Sequence, residues 1–284
     1  MTFLAVIIVF LIVRWFGSVA FLQHDQWYFR FCRWLAARSV LSYTEGAVFF
    51  CGLIAPLLVV FVLLFITHQL WSGLEIIIAV PALLYAVGRK EFRPLVDDFI
   101  AACERNDWPE AVNIADQLDC DVSGVADQDW TTLSHRTLYA ASYRGFERQF
   151  AVLFWFIALG AIGAVMYRLT ELYARNADAE LKDQAAARRC LWLIEWPAAR
   201  VLGISFAITG NFVGCFNSWR HHFWGGEVAT PDVLGQCVEG ALNVEQGESQ
   251  SLAISEKELR WMASLYYRTL IFWMCVLAGL AIAF

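Results

Sequence analysis

Charge is scarce in this sequence. Of 284 residues only 17% are Asp, Glu, Lys or Arg, against about 25% in ordinary soluble domains. A soluble enzyme of this length would not keep so few charges. Lysine is rarer still: Lys90, Lys182 and Lys257 are the only three, and none follows a glycine-rich run. No GxxxxGK[ST] phosphate loop can therefore form, and GxSxG, HExxH and a dinucleotide fingerprint are equally missing. An excess of positive charge is absent too. The 21 basic residues against 27 acidic ones give a formal charge of −6, whereas a nucleic-acid binder shows a basic electrostatic footprint. No basic segment precedes the apolar first 13 residues and no cleavage motif follows them, so no removable signal peptide is expected. No strand-like alternation competes anywhere, and no motif implies a cofactor.

Apolar residues fill the space that charge leaves. They make up 59% of the chain, with 13 Trp, 22 Phe and 9 Tyr, a composition suited to hydrocarbon and its interfaces. The fold class predicted is all-α: a polytopic helical membrane protein with cytoplasmic helical segments and room for re-entrant helices. The eight cysteines (32, 51, 103, 120, 190, 215, 237 and 275) contain no CxxC. Cys51 and Cys275 fall in apolar segments, and the others read as free thiols facing a reducing cytoplasm. Cys215, His221, His222 and Glu227 lie close in sequence but match no zinc spacing, so no metal site is predicted.

Gaps between charges outline the topology. Gly46 to Leu74 is 29 residues without a charge, longer than the ~20 that a spanning helix needs. A span is expected at 46–67, opened by the capping-box pattern Ser42-x-x-Glu45, and a shorter one with Pro81 at 74–88. A third is expected at 269–284, on a helix that starts at Ser255-x-x-Glu258. The connector at 68–73 holds no Lys or Arg, while residues 89–148 hold seven, which places the first in the periplasm and the second in the cytoplasm. Two further 19-residue gaps, 149–167 and 201–219, resist simple alternation. If each crossed once, residues 168–200 with six basic groups would face the periplasm. Gly160 and Gly163 interrupt the first gap, so the first, or both, are expected to dip in and return or to pack as a buried core beside the membrane, with a plain span as the alternative. Gly203, Ala207, Gly210 and Gly214 make a small-residue stripe for close helix contact. The apolar start, 1–13, is short for a span and is read as one with a periplasmic amino terminus. All of this forms a single membrane domain, 1–284, with a cytoplasmic helical region at 89–148. There Asp107-Trp108-Pro109-Glu110 is a strong helix start, as is Thr230-Pro231 further on.

The polar residues that frame the two odd gaps are the candidate ligand-binding set. Arg168, Glu171 and Arg175 follow the first gap at helical spacing, beside Tyr167. Glu195 and Arg200 precede the second, with Asn211 expected on the same face three turns on. Arg is suited to bidentate capture of a carboxylate or phosphate, so Arg168, Glu195 and Arg200 are expected to form one cluster at the cytoplasmic edge. Either an anionic small molecule or mutual pairing would compensate its charges.

These same residues carry a resemblance. Phe154-Trp155-Phe156, Leu159-Gly160-Ala161-Ile162-Gly163-Ala164, Tyr167-Arg168 and Glu195-Trp196-Pro197-Ala198-Ala199-Arg200-Val201-Leu202-Gly203 resemble the AmpE family. Arg105-Asn106-Asp107 and Phe206-Ala207-Ile208-Thr209-Gly210-Asn211 extend the similarity over nearly the whole chain. The resemblance implies a multi-pass protein of the bacterial inner membrane that modulates β-lactamase induction without being an enzyme. The partners it implies are the bilayer and a protein of peptidoglycan recycling, where the amidase AmpD acts. The wider group includes the CobD/CbiB cobalamin proteins, which attach an aminopropanol arm to the corrin ring. Those enzymes continue after Tyr-Arg into Asn-Thr-Leu-Asp, whereas this chain reads Leu169-Thr170-Glu171-Leu172. An amide-forming synthase is therefore the alternative.

Overall fold

A chain so apolar and so free of strand patterning can satisfy its backbone groups inside a membrane only by forming helices. The computed structural model describes residues 2–16, 25–37, 46–70, 72–87, 92–176, 183–223, 229–242 and 252–283, and among these every regular element is helical. The elements are α1 (Thr2–Phe16), α2 (Gln26–Ala36), α3 (Ala47–Leu70), α4 (Glu75–Ala86), α5 (Phe92–Glu104), α6 (Trp108–Gln117) and α7 (Trp130–Gly145). After a π-helical turn at Phe146–Phe150 come α8 (Ala151–Arg175), α9 (Gln184–Thr209), α10 (Phe212–Phe223), α11 (Thr230–Leu242) and α12 (Leu252–Ala283). Four helical stretches are long and apolar enough to cross a membrane: Ala47–Leu70, Trp130–Arg175, Gln184–Thr209 and Glu256–Gly279. The protein is an all-α, multi-pass membrane protein. Its helices pack as two compact units, residues 1–90 with 151–196, and 91–150 with 197–284. Ser42 and Glu45 lie outside the described residues.

In the first unit α3 shows why a bilayer is needed. Ile54, Leu58, Phe61 and Phe65 are each more than half exposed, and side chains of this kind gain about 1.5–3 kcal/mol apiece on leaving water. The shorter apolar helix α4 packs on α1, α3 and α8. The decisive feature is a break inside α8. Gly160 takes φ 66° and ψ −151°, a backbone region almost confined to glycine. A Cβ on Gly163 would lie 2.1 Å from the carbonyl oxygen of Trp155. Eight residues of straight helix would separate those positions by about 12 Å, so α8 doubles back and its two halves lie against each other.

In the second unit the Arg105-Asn106-Asp107 stretch is a joint between helices. Asn106 adopts φ 53°, and the Asp107 N–H donates back to the Ala102 carbonyl at 2.9 Å, closing α5. Asp107 Oδ1 then accepts from Glu110 N at 3.3 Å and opens α6, as the sequence predicts. α11 starts at Thr230, also as predicted, but α12 begins at Leu252, three residues before Ser255. The 201–219 gap is not one helix. α9 ends at Thr209, the chain turns at Gly210 and Asn211, and α10 follows. The small-residue stripe serves this turn. A Cβ on Gly214 would be 2.3 Å from the Gly240 carbonyl of α11, and one on Gly203 would be 2.7 Å from the Trp219 ring. Gly214 therefore allows the close approach of α10 to α11, and Gly203 that of α9 to α10.

Candidate functional site

The reversal at Gly160 brings two distant side chains to neighbouring points on α9. Trp155, in the first half of α8, donates from Nε1 to the Ile194 carbonyl at 3.0 Å. Tyr167, in the second half, donates its hydroxyl to Glu195 Oε1 at 3.1 Å. Tyr167 is fully buried and Glu195 is 3% exposed. A carboxylate at that depth is costly without hydrogen bonds to it, and the broken helix supplies one.

One residue on, Arg168 turns to a different face and is also buried. Its Nη1 reaches Glu171 Oε2 at 2.6 Å, and its Nη2 reaches Asp25 Oδ2 at 3.2 Å. Glu171 in turn lies 3.9 Å from Arg175 Nε, so the Arg168, Glu171 and Arg175 face predicted from spacing exists. Asp25 was not visible in the sequence. It precedes α2, but its carboxylate makes no cap bond to that helix because it is committed to Arg168, 143 positions away. No periodicity couples residues so far apart. The Tyr85 hydroxyl at the end of α4 faces the same carboxylate. Asp25 thus ties α2 to α8 beside the end of α4.

The expected cluster of Arg168, Glu195 and Arg200 is divided differently. Arg168 is compensated by Asp25 and Glu171, and Glu195 is held by Tyr167. Arg200 belongs to the second unit. There it is buried, its carbonyl accepts from Trp219 Nε1 at 3.2 Å, and its side chain lies near the Cys237 thiol. Asn211 does not share a helix face with Arg200, because Gly210 ends α9 between them. It caps α10 instead, Oδ1 accepting from Val213 N at 3.2 Å and Gly214 N at 3.4 Å.

Two further polar groups of the second unit escaped the sequence reading because their partners sit on separate elements. His135 Nε2 of α7 lies 2.7 Å from Glu239 Oε1 of α11, and Tyr139 donates to Glu239 Oε2 at 3.0 Å. Arg144 pairs with Glu147 of the π turn at 3.1 Å and with Asp119. Among the described residues no group of three His, Cys, Asp or Glu could hold a metal ion. The side chains of His221 and His222, and residue Glu227, lie outside that set.

With the geometry in place, comparison with known proteins gives the family. Residues 1–246 match the family described as "Regulatory signalling modulator protein AmpE". The chain belongs to the AmpE family. It is also similar to two proteins named "Cobalamin biosynthesis protein CobD". One, from Chromobacterium violaceum, is 28% identical over 160 residues, covering 52% of this chain and 48% of that protein. The other, from Stutzerimonas stutzeri, is 28% identical over 212 residues, covering 72% and 67%. The first alignment thus spans about half of that relative's length. No solved structure matches significantly. The AmpE chain departs from the Asn-Thr-Leu-Asp run at a place now defined. Leu169 is fully buried, Thr170 donates to the Met166 carbonyl at 2.9 Å, and Glu171 is locked to Arg168. These side chains are occupied in packing and pairing.

Proposed function

We propose that this AmpE protein is a non-enzymatic regulator of the bacterial inner membrane that links peptidoglycan recycling to β-lactamase induction. The observation that carries the reading is the Arg168 cluster. Its guanidinium is met by two carboxylates of the chain itself, one across three residues and one across 143, which makes it a joint between elements. An anionic small molecule that replaced Asp25 on Arg168 would release α2 from α8, and a ligand shifts an equilibrium by such differential contacts. Tyr167 and Glu195 hold α9 beside this joint, and a protein partner would read the displaced α2.

The topology proposed with this role places 68–73 in the periplasm and both 89–149 and 168–190 in the cytoplasm. The folding back of α8 at Gly160 supports a segment that enters the membrane and returns, since irregular backbone at that depth must be covered by protein.

β-Lactamase induction in a deletion strain, complemented with the wild-type chain or with Asp25→Asn, tests the role. Restored induction control with the wild type and altered control with the variant, at equal abundance, is the expected result. Indistinguishable induction in the deletion and complemented strains refutes it. The similarity to CobD over 212 residues favours one second reading, an amide-forming synthase. Rescue of a cobalamin-requiring mutant by this chain would establish that reading instead.

A further inference from the structure

Beyond the Arg168 joint, the first unit holds a groove of 860 Å³ between α2, α3 and α4. Trp27 and Phe31 of α2 form one wall, Pro56 and Val60 of α3 the second, Pro81 and Ala82 of α4 the third. The groove runs from Tyr85 to Ile77, about 12 Å along α4. Two of its walls, α3 and α4, carry exposed apolar side chains such as Leu58 and Ile77, so an occupant at this depth is an apolar chain. The volume lies within the ~300–1,000 Å³ of pockets that enclose a ligand.

The end nearest α2 differs in chemistry. α2 packs at the start of α3, where a Cβ on Gly52 would be 3.1 Å from Cys32 Sγ. Along it Trp27 and Trp34 are 43% and 55% exposed on one face, the pattern of a helix lying in a membrane interface. Arg30 and Arg33 are exposed beside that face and, with Gln26, line an adjoining polar cavity of 520 Å³. Arg30 Nε is bonded to the Gln26 carbonyl at 3.3 Å, which leaves its Nη groups for an anion. Apolar groove and basic cavity therefore share α2, where Arg30 lies one turn from Trp27 and next to it on the helix surface.

We propose that this groove holds one acyl chain of an anionic phospholipid, with the lipid phosphate on Arg30 and Arg33. The charge decides the class: two guanidiniums at a headgroup level recognise phosphate bidentately, and the walls accept only hydrocarbon. A lipid so held is a specific ligand of the chain, distinct from the annular lipids that cover α3.

The test uses the full chain in nanodiscs of mixed phosphatidylglycerol and phosphatidylcholine, exchanged into detergent, with retained lipid counted by native mass spectrometry. Wild type should keep one phosphatidylglycerol per chain. Ala82→Trp, which fills the groove, should lose it, while Phe65→Trp on the exposed face of α3 should keep it. Arg30→Gln with Arg33→Gln should cut the preference for phosphatidylglycerol over phosphatidylcholine by about tenfold, the worth of one good charge-assisted contact. If Ala82→Trp does not fold, Val60→Phe replaces it. Equal retention by wild type and the groove-filling variant, equal retention of the two lipids by wild type, or loss caused equally by Phe65→Trp would each overturn the proposal.

Discussion

Replacing Arg168 with Met keeps the apolar stem of the buried side chain and deletes the guanidinium. Two carboxylates, Asp25 and Glu171, then lose the guanidinium between them at side-chain exposures of 12% each. At such burial neither is relieved by solvent, and breaking a buried pair by removing one member costs about 3–5 kcal/mol. Arg168→Met should therefore destabilise the chain by about that amount, measured as the midpoint shift in an SDS titration from mixed micelles. The reasoning also specifies the rescue. Asp25→Asn and Glu171→Gln, added together, remove the stranded charges and should recover at least half of the loss. Arg168→Lys keeps the charge but loses the planar fork, and it should fall between wild type and Met because one ammonium cannot hold both carboxylates at their present angles. Asp25→Asn with Arg168→Met should show a coupling of about 1–3 kcal/mol in a double-mutant cycle, the range of residues in one network. A Met variant within 1 kcal/mol of wild type, or a triple variant no more stable than Arg168→Met, would refute the assignment of this cluster as the joint between α2 and α8.

Other expectations follow from single features. Gly160→Ala forces φ 66° and ψ −151° on a side chain and should cost about 1–3 kcal/mol; Gly163→Ala, with its Cβ against a backbone carbonyl, should lower folded yield further, and wild-type stability in either would remove the evidence for a reversal. In a background without other cysteines, Asp178→Cys and Asp127→Cys should both resist a periplasmic thiol reagent in intact cells, and labelling of position 178 alone would turn 149–167 into an ordinary crossing. Burial pushes the Cys32 thiol up to about 11 from 9.0, so its thiolate fraction at pH 8 falls about 100-fold and alkylation should accelerate with pH well beyond the usual thiol range; a rate matching an unfolded peptide at pH 8 would contradict the packing of α2 on α3. The Thr132 hydroxyl and the Thr132 N–H, which caps α7 at 3.1 Å, both donate to the Asp129 carboxylate and hold it below the usual value. Its contribution is therefore full above the unfolded pKa and disappears as pH falls through the lower folded one, so Asp129→Ala should flatten the acid limb of the stability profile while a flat wild-type limb would count against the cap.

The sequence alone determined the class of this protein, because each of those inferences is local. Charge-free stretches longer than a bilayer needs demand helices wherever they occur, and α3 covers the longest of them. Asp107, Pro109 and Glu110 start a helix by chemistry confined to four residues. Arg168, Glu171 and Arg175 share a face through helical spacing alone, and Gly160 and Gly163 marked the point where a helix could not continue straight. What the tertiary structure decided was pairing across the chain. Asp25 met Arg168 because α2 and α8 pack in one unit, an outcome that no periodicity encodes. Asn211 left the Arg200 face because Gly210 ended a helix that hydropathy carried straight through. Trp155 and Tyr167 came to successive residues of α9 only because the backbone doubled back. The lipid groove likewise exists in no segment, since each of its three walls comes from a different helix. Local propensity and hydropathy act within a few turns of helix, while buried charge is settled by whichever distant group the packing delivers.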